Sequence, residues 1–147
     1  MTDIKQLHDT DFNLWIEQQA KALQNRDVNN MDWDNLLDEI EDMGSSNKRS
    51  LKSYTMRLIE HIFKLQYWHS EIERNKAKWR IEVTNFRSQI ETILDDSPSL
   101  KRYLEQNYFK WYAKSVNNIN SSEAFVVPEH QPIPLEELLA DNYFGNW

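Results

Sequence analysis

The chain has no cysteine, only two glycines and only four prolines in 147 residues. Without cysteine there is no disulfide, no thiolate zinc site and no cysteine nucleophile. Gly44 and Gly145 stand far apart. Phosphate-cradling loops and dinucleotide turns need several glycines close together, so nucleotide folds of those kinds are excluded. No stretch approaches the roughly 20 apolar residues of a membrane span. The opening Met1-Thr2-Asp3-Ile4-Lys5 lacks the basic-then-apolar pattern of a leader. A cytoplasmic protein with no membrane partner is the expectation. The formal net charge of -7 repels nucleic acid phosphates unless the basic residues gather on one face.

What is present argues for a folded helical chain. Hydrophobic residues make up 39% of the sequence and six are tryptophans, enough to build a core despite a charged fraction of 28%. Asp9 or Thr10 can cap a first helix whose apolar stripe is Phe12, Trp15, Ile16, Ala20 and Leu23, with Asn25 and Asp27 marking a loop after it. Asp32 can cap a second helix carrying Trp33, Leu36, Leu37, Ile40 and Met43, and Gly44 reads as its stop. Ser45-Ser46-Asn47 then offers a fresh cap for a longer helix with Leu51, Tyr54, Leu58, Ile62 and Leu65 on one stripe. Met56, Ile59, Phe63 and Tyr67 widen that stripe, so the segment from Ser46 to about Trp68 belongs at the centre of a bundle.

A polar break is expected from His69 to Asn75, followed by a helix with Trp79, Val83, Phe86, Ile90, Ile93 and Leu94 inward. Ser97 as N-cap and Pro98 at the first helical position start another, striped by Leu100, Leu104, Tyr108 and Trp111. Beyond Asn117 periodicity fades, and Pro128, Pro132 and Pro134 favour an extended tail. Leu135 to Leu139 suggests a short last helix, and Tyr143, Phe144 and Trp147 are apolar enough to dock. The fold class is therefore all-α: one helical domain over residues 1–147, with a bundle of four main helices at 9–117 and a wrapping tail at 118–147.

The order of several blocks resembles a bacterial family, "domain of unknown function 29", over nearly the whole chain. The residues that carry it are Asp11-Phe12, Trp15, Gln19, Ala20, Asp32-Trp33, Asn35-Leu36, Glu39-Ile40 and Met43-Gly44. Further on come His61, Lys64 to Tyr67, Trp79-Arg80, Arg87 and Asp96 to Leu100, and the ending is carried by Pro128, Pro132, Leu135, Glu136 and Leu138-Leu139. Asp38 stands where the family often has a glutamate, and Ser45 where a basic residue is common. What the resemblance implies is an all-α fold; it implies no activity.

Three constellations could carry a function. Asp38, Glu39 and Asp42 with His61 could line a metal or catalytic site, since bundles build such sites from inward carboxylates and imidazoles. The Glu-x-x-His pairs of di-iron bundles are absent, however, and a structural hydrogen-bonded pair of Glu39 with His61 is the favoured reading. Arg74, Lys76, Lys78, Arg80 and Arg87, with Trp79 among them, could contact phosphates and stack on a base. The favoured reading is a solvated face or one paired with the acidic run of Asp27, Asp32, Asp34, Asp38, Glu39, Glu41 and Asp42. Trp33 and Trp79 sit at core register. His8, His69 and His130 fall in loops or helix ends, and no hydrolase triad assembles. No catalytic residue, cofactor site or metal ligand is assigned. The leading expectation is a non-enzymatic module that binds a protein partner or itself. Nucleic acid binding through Arg74 to Arg80 is one alternative, and an enzyme or metal protein using Glu39 and His61 is another.

Overall fold

Asp11 sets the first boundary of the fold: its carboxylate accepts the Leu14 N–H at 3.1 Å and caps a helix. In the computed structural model, which describes residues 4–145, α1 spans Ile4–Thr10, α2 Phe12–Gln24, α3 Trp33–Tyr67, α4 His69–Asp96, α5 Leu100–Ser122 and α6 Leu135–Leu138. A 3₁₀ turn, Val28–Asn30, links α2 to α3, and no strand occurs among the described residues. The chain forms two compact units, Met1–Ser46 and Asn47–Trp147, and the division falls inside α3.

Within the first unit α2 ends in a Schellman turn. Arg26 takes a left-handed conformation (φ 53°), its N–H reaches Leu23 O, and the Asp27 N–H reaches Ala22 O at 2.8 Å. Leu7, Trp15 and Ala22 are buried there together with two polar side chains, Gln19 and Asp32. The apolar stripe expected on α2 is corrected by this arrangement. Trp15 is inward, but Phe12, Ile16, Ala20 and Leu23 are exposed, because the inward face of α2 is partly polar and bonds to the chain around Asp32.

The expected break at Gly44 does not occur, and α3 runs on for 35 residues. A glycine terminates a helix when it adopts positive φ, and among the described glycines only Gly145 does so. Gly44 is instead an ordinary helical residue whose missing side chain leaves open space. A helix-interior glycine costs about 1 kcal/mol relative to alanine, too little to interrupt a helix anchored on both sides.

The second unit is organised around the C-terminal part of α3, where Leu51, Leu58, Ile59, Ile62, Phe63 and Leu65 are all fully buried. Trp79, Val83 and Ile90 of α4 and Leu104, Tyr108, Trp111 and Ile119 of α5 complete its helical core. The polar break expected at 69–75 shrinks to one residue, Trp68, which ends one helix and begins the next. Trp68 stacks on Trp79 and on Phe125, so an aromatic residue rather than a polar loop makes the corner. The helix expected from Ser97 starts at Leu100, after a turn in which Leu100 N–H bonds to Ser97 O. It continues to Ser122 and so absorbs residues expected in the tail; Glu123 in left-handed conformation (φ 60°) ends it.

From there the chain is tied down by side chains. Asn120 accepts the Val127 N–H at 2.8 Å, the Tyr108 hydroxyl donates to Ile133 O at 2.6 Å, and the Ile133 N–H donates to the Tyr112 hydroxyl. Val127, Ile133, Leu135, Leu138 and Tyr143 join the core of this unit. Trp147, expected to dock, lies outside the described residues.

Candidate interaction surface

Of the acidic and histidine groups singled out in the sequence, Glu39 and His61 are bonded within the protein, while Asp38 and Asp42 are exposed. Glu39 and His61 do not pair with each other. The Glu39 carboxylate accepts from His8 Nε2 at 2.7 Å, while His8 Nδ1 donates to Asp9 at 2.9 Å. Both partners are carboxylates, an arrangement that favours the doubly protonated imidazolium form of the His8 ring. Glu39 chiefly, with Asp9, raises the His8 pKa above its usual value. The ring also meets Trp15 and Phe12 edge-on, which fixes α1 against α2 and the start of α3.

His61 instead meets Glu82 through Nε2 at 2.5 Å, and its Nδ1 donates to Arg57 O at 2.8 Å. Burial first, then Lys64, pull its pKa down, opposed by the Arg57 carbonyl and Glu82. Both ring nitrogens are engaged inside the second unit. Among the described residues no cluster of three or more His, Asp or Glu side chains is placed to hold a metal.

The acid most withdrawn from solvent in the first unit is Asp32 rather than Glu39. Its carboxylate accepts the Trp15 indole N–H at 3.0 Å and the Asn35 amide at 2.8 Å, and it caps α3 through the Asn35 backbone N–H. Gln19 completes the network by accepting the Asp32 N–H at 2.7 Å and donating to Asn30 O. Although burial works in the opposite direction as the largest single influence, the donors from Asn35 and Trp15 leave the Asp32 pKa below its usual value.

The basic stretch is partly engaged within the protein, although Arg74, Lys76 and Lys78 stay exposed. Arg74 grips Glu71 one turn earlier with two contacts of 3.1 and 2.9 Å, and Lys78 lies 4.0 Å from Glu82. The Arg80 guanidinium covers the Phe144 ring at 3.8 Å. Arg87 is only 5% exposed and points inward, so it belongs to no phosphate-binding row. Its Nε donates to Leu138 O at 2.9 Å, and its two terminal nitrogens donate to Asp141 O and Tyr143 O. Burial lowers its pKa, and Asp141 and Tyr143 counter this.

Two further features escaped sequence reasoning. His130 donates through Nδ1 to Pro128 O, leaving Nε2 to accept from the Tyr112 hydroxyl. This pair borders a surface cleft of about 770 Å³ between the end of α5 and the tail, and burial pushes the Tyr112 hydroxyl up to about 12. A half-open cleft of about 610 Å³ sits over Arg87, Ile90, Leu94, Pro98 and Leu139. In both clefts the reactive-looking side chain is engaged with the protein's own backbone.

The exposed apolar surface is distributed unevenly. Among the described residues the large exposed apolar side chains are Phe12, Leu14, Ile16, Leu23, Val28, Trp33, Leu37, Ile40 and Met43 in the first unit. The second contributes only Ile81, Phe109 and Val126. The core role expected for Trp33 is corrected: it is 58% exposed, while Trp79 is buried as expected. Trp33 also closes a cleft of about 240 Å³ with Leu23, Arg26, Val28 and Met31. Trp33 is outward because the inward positions of this part of α3 are taken by Asn35, Leu36 and Glu39, all partly buried.

The described residues thus form an all-α protein in which His8, His61, His130 and Arg87 are bonded within the protein and most of the large exposed apolar side chains lie in the first unit. Residues 7–144 match the family model described as "Domain of unknown function DUF29", and the chain belongs to that family. No curated protein and no solved structure matches it. Among the described residues no helix is long and apolar enough to cross a membrane.

Proposed function

We propose that the protein is a non-enzymatic helical module that associates with another protein through its first unit. One observation carries this reading: a segment making up under a third of the chain holds nine of the twelve large exposed apolar side chains among the described residues. Exposed apolar residues are ordinary when scattered, but a concentration of them marks a surface that another macromolecule covers. The internal engagement of His8, His61, His130 and Arg87 supports the same reading, since each already has protein partners.

The test compares the natural chain with Leu37→Glu/Ile40→Glu, a pair of exposed positions whose replacement leaves the buried network of Asp32 untouched. Size-exclusion chromatography with light scattering, before and after co-purification from a producing host, reads the assembled mass. The natural chain is expected to run above monomer mass, alone or with a bound protein, and the variant at monomer mass. Identical monomeric behaviour of both chains overturns the proposal.

A further inference from the structure

We infer that α3 is a two-state helix: it exchanges between the continuous form of the structure and a broken form in which one helix ends at Gly44 and another starts within Ser45-Ser46-Asn47. Every residue from Ile40 to Arg49 is exposed. A helix that packs buries a side chain in each turn, so roughly three turns of α3 have no packed face. Among the described residues, no side chain from Ile40 to Asn47 makes a hydrogen bond, ion pair or ring contact. The nearest such ties are Glu39 on His8 before the span and Lys48 over the Tyr103 ring, 5.3 Å from its centroid, at its end. Backbone bonds alone keep the span helical, and a segment held in that way opens at lower free energy than the cores beside it.

The residues of the span give the open form a definite shape. Glycine is the weakest helix former after proline, and serine and asparagine are also poor. In the order Gly44-Ser45-Ser46-Asn47 they are also what ends one helix and starts the next. Glycine takes the left-handed C-terminal position without a Cβ penalty, and serine or asparagine accepts the first free N–H groups of the following helix. The continuous helix uses neither capacity: Gly44 does not take positive φ, and Ser45, Ser46 and Asn47 make no capping bond. A break satisfies part of the backbone that it frees. It also leaves both cores intact, because Leu51 to Leu65 and the network of Trp15, Gln19 and Asp32 lie outside the span.

Charge keeps the broken form the lesser one. Glu41 and Asp42 would stand at the new C-terminus, and Lys48 and Arg49 at the new N-terminus. Each has the wrong sign for the dipole of the helix it would flank. Salt screens that penalty, so the broken population rises with ionic strength.

Residue-resolved hydrogen exchange on the full chain tests this. When the helix breaks, the amides of Ser46 to Arg49 lose their acceptors one turn back. They are expected to exchange at least about a hundredfold faster than those of Leu58 to Leu65. Gly44→Ala/Ser46→Ala/Asn47→Ala should slow them about thirtyfold. Gly44→Asn, which tolerates the left-handed conformation, should stay within about threefold of the natural chain. Glu41→Gln/Asp42→Asn should speed them about threefold at low salt and less at high salt. Asp32→Ala and Arg87→Ala, which loosen the first and second units, should leave the span unchanged; circular dichroism checks that each variant is folded.

Exchange at Ser46 to Arg49 as slow as at Leu58 to Leu65, or unchanged by the triple alanine variant, overturns the inference. If Gly44→Asn slows exchange as much as the alanines do, no left-handed break is involved and the inference falls. It falls as well if Asp32→Ala or Arg87→Ala accelerates the span together with its unit, since the opening then belongs to the unfolding of that unit.

Discussion

Replacing Arg87 with alanine should release the C-terminal segment from the second unit. Arg87 supplies donors to three backbone carbonyls, at Leu138, Asp141 and Tyr143. The Asp141 contact is long, at 3.4 Å, and Asp141 is exposed, so water can replace that bond. Leu138 and Tyr143 are buried, and each of their carbonyls left without a donor costs roughly 1–3 kcal/mol. Removing a partly desolvated guanidinium returns some free energy, so the net loss is about 3 kcal/mol, or about 9 °C in melting temperature for a chain of this size.

Thermal and urea melts measure the global change. Hydrogen exchange at Leu138, Leu139, Ala140 and Tyr143, whose N–H groups bond within the segment, measures the local one. Arg87→Lys keeps the charge without the forked donor and should recover about half of the loss; Arg87→Met restores volume alone and should recover less. If Arg87→Ala changes stability by under about 1 kcal/mol, or leaves those amides protected, the guanidinium is not what holds the segment.

The remaining predictions concern the first unit and α3. Gly44→Ala should stabilise the protein by about 1 kcal/mol, since its new Cβ meets open space in a helix interior; a neutral or negative change in urea melts would mean the helix is not continuous there. Asp32→Ala should cost about 2–4 kcal/mol, because it removes the α3 cap and strands the buried Trp15 N–H; Trp15 fluorescence and melts would report it, and a change below about 1 kcal/mol contradicts the network. The His8 imidazolium has a raised pKa in the folded chain, so its stabilisation is complete below the unfolded value and fades as pH climbs through the folded one. Exchange at the α1 amides should therefore accelerate on the alkaline side, and His8→Gln should abolish that dependence. Acceleration on the acid side instead would reverse the assignment.

The helices are most legible where the inward face is mostly apolar. On α4 and α5, Val83, Ile90, Leu104, Tyr108 and Trp111 were expected inward and are. The reading failed where polar bonds replace apolar burial: Gln19 and Asp32 are inward while Phe12, Ile16 and Leu23 are not. Hydrophobic periodicity carries no signal for such a network, whose partners lie 13 and 17 residues apart. Gly44 does not end its helix because composition does not dictate φ; the left-handed positions that do end helices are Arg26 and Glu123. Nothing in the periodicity of two helices says which acid meets which histidine, and the expected pairing of Glu39 with His61 does not form. His8, 31 residues from Glu39, is the true partner, and only tertiary structure brings them together. For Arg87, the clue lay in the sequence: it falls one turn after Val83 and three residues before Ile90, on the inward stripe of α4.

The dependence of the second unit on Val127, Ile133, Leu138 and Tyr143 also has a consequence during synthesis. The ribosome delivers α3 to α5 before these residues, so the core of Leu58, Ile62 and Phe63 forms against α4 and α5 with its C-terminal members still missing. Apolar surface that waits in this way for the last part of the chain is the kind that holding chaperones bind, and a chain halted after α5 is expected to lack the core residues Val127, Ile133, Leu138 and Tyr143 although every long helix is already made.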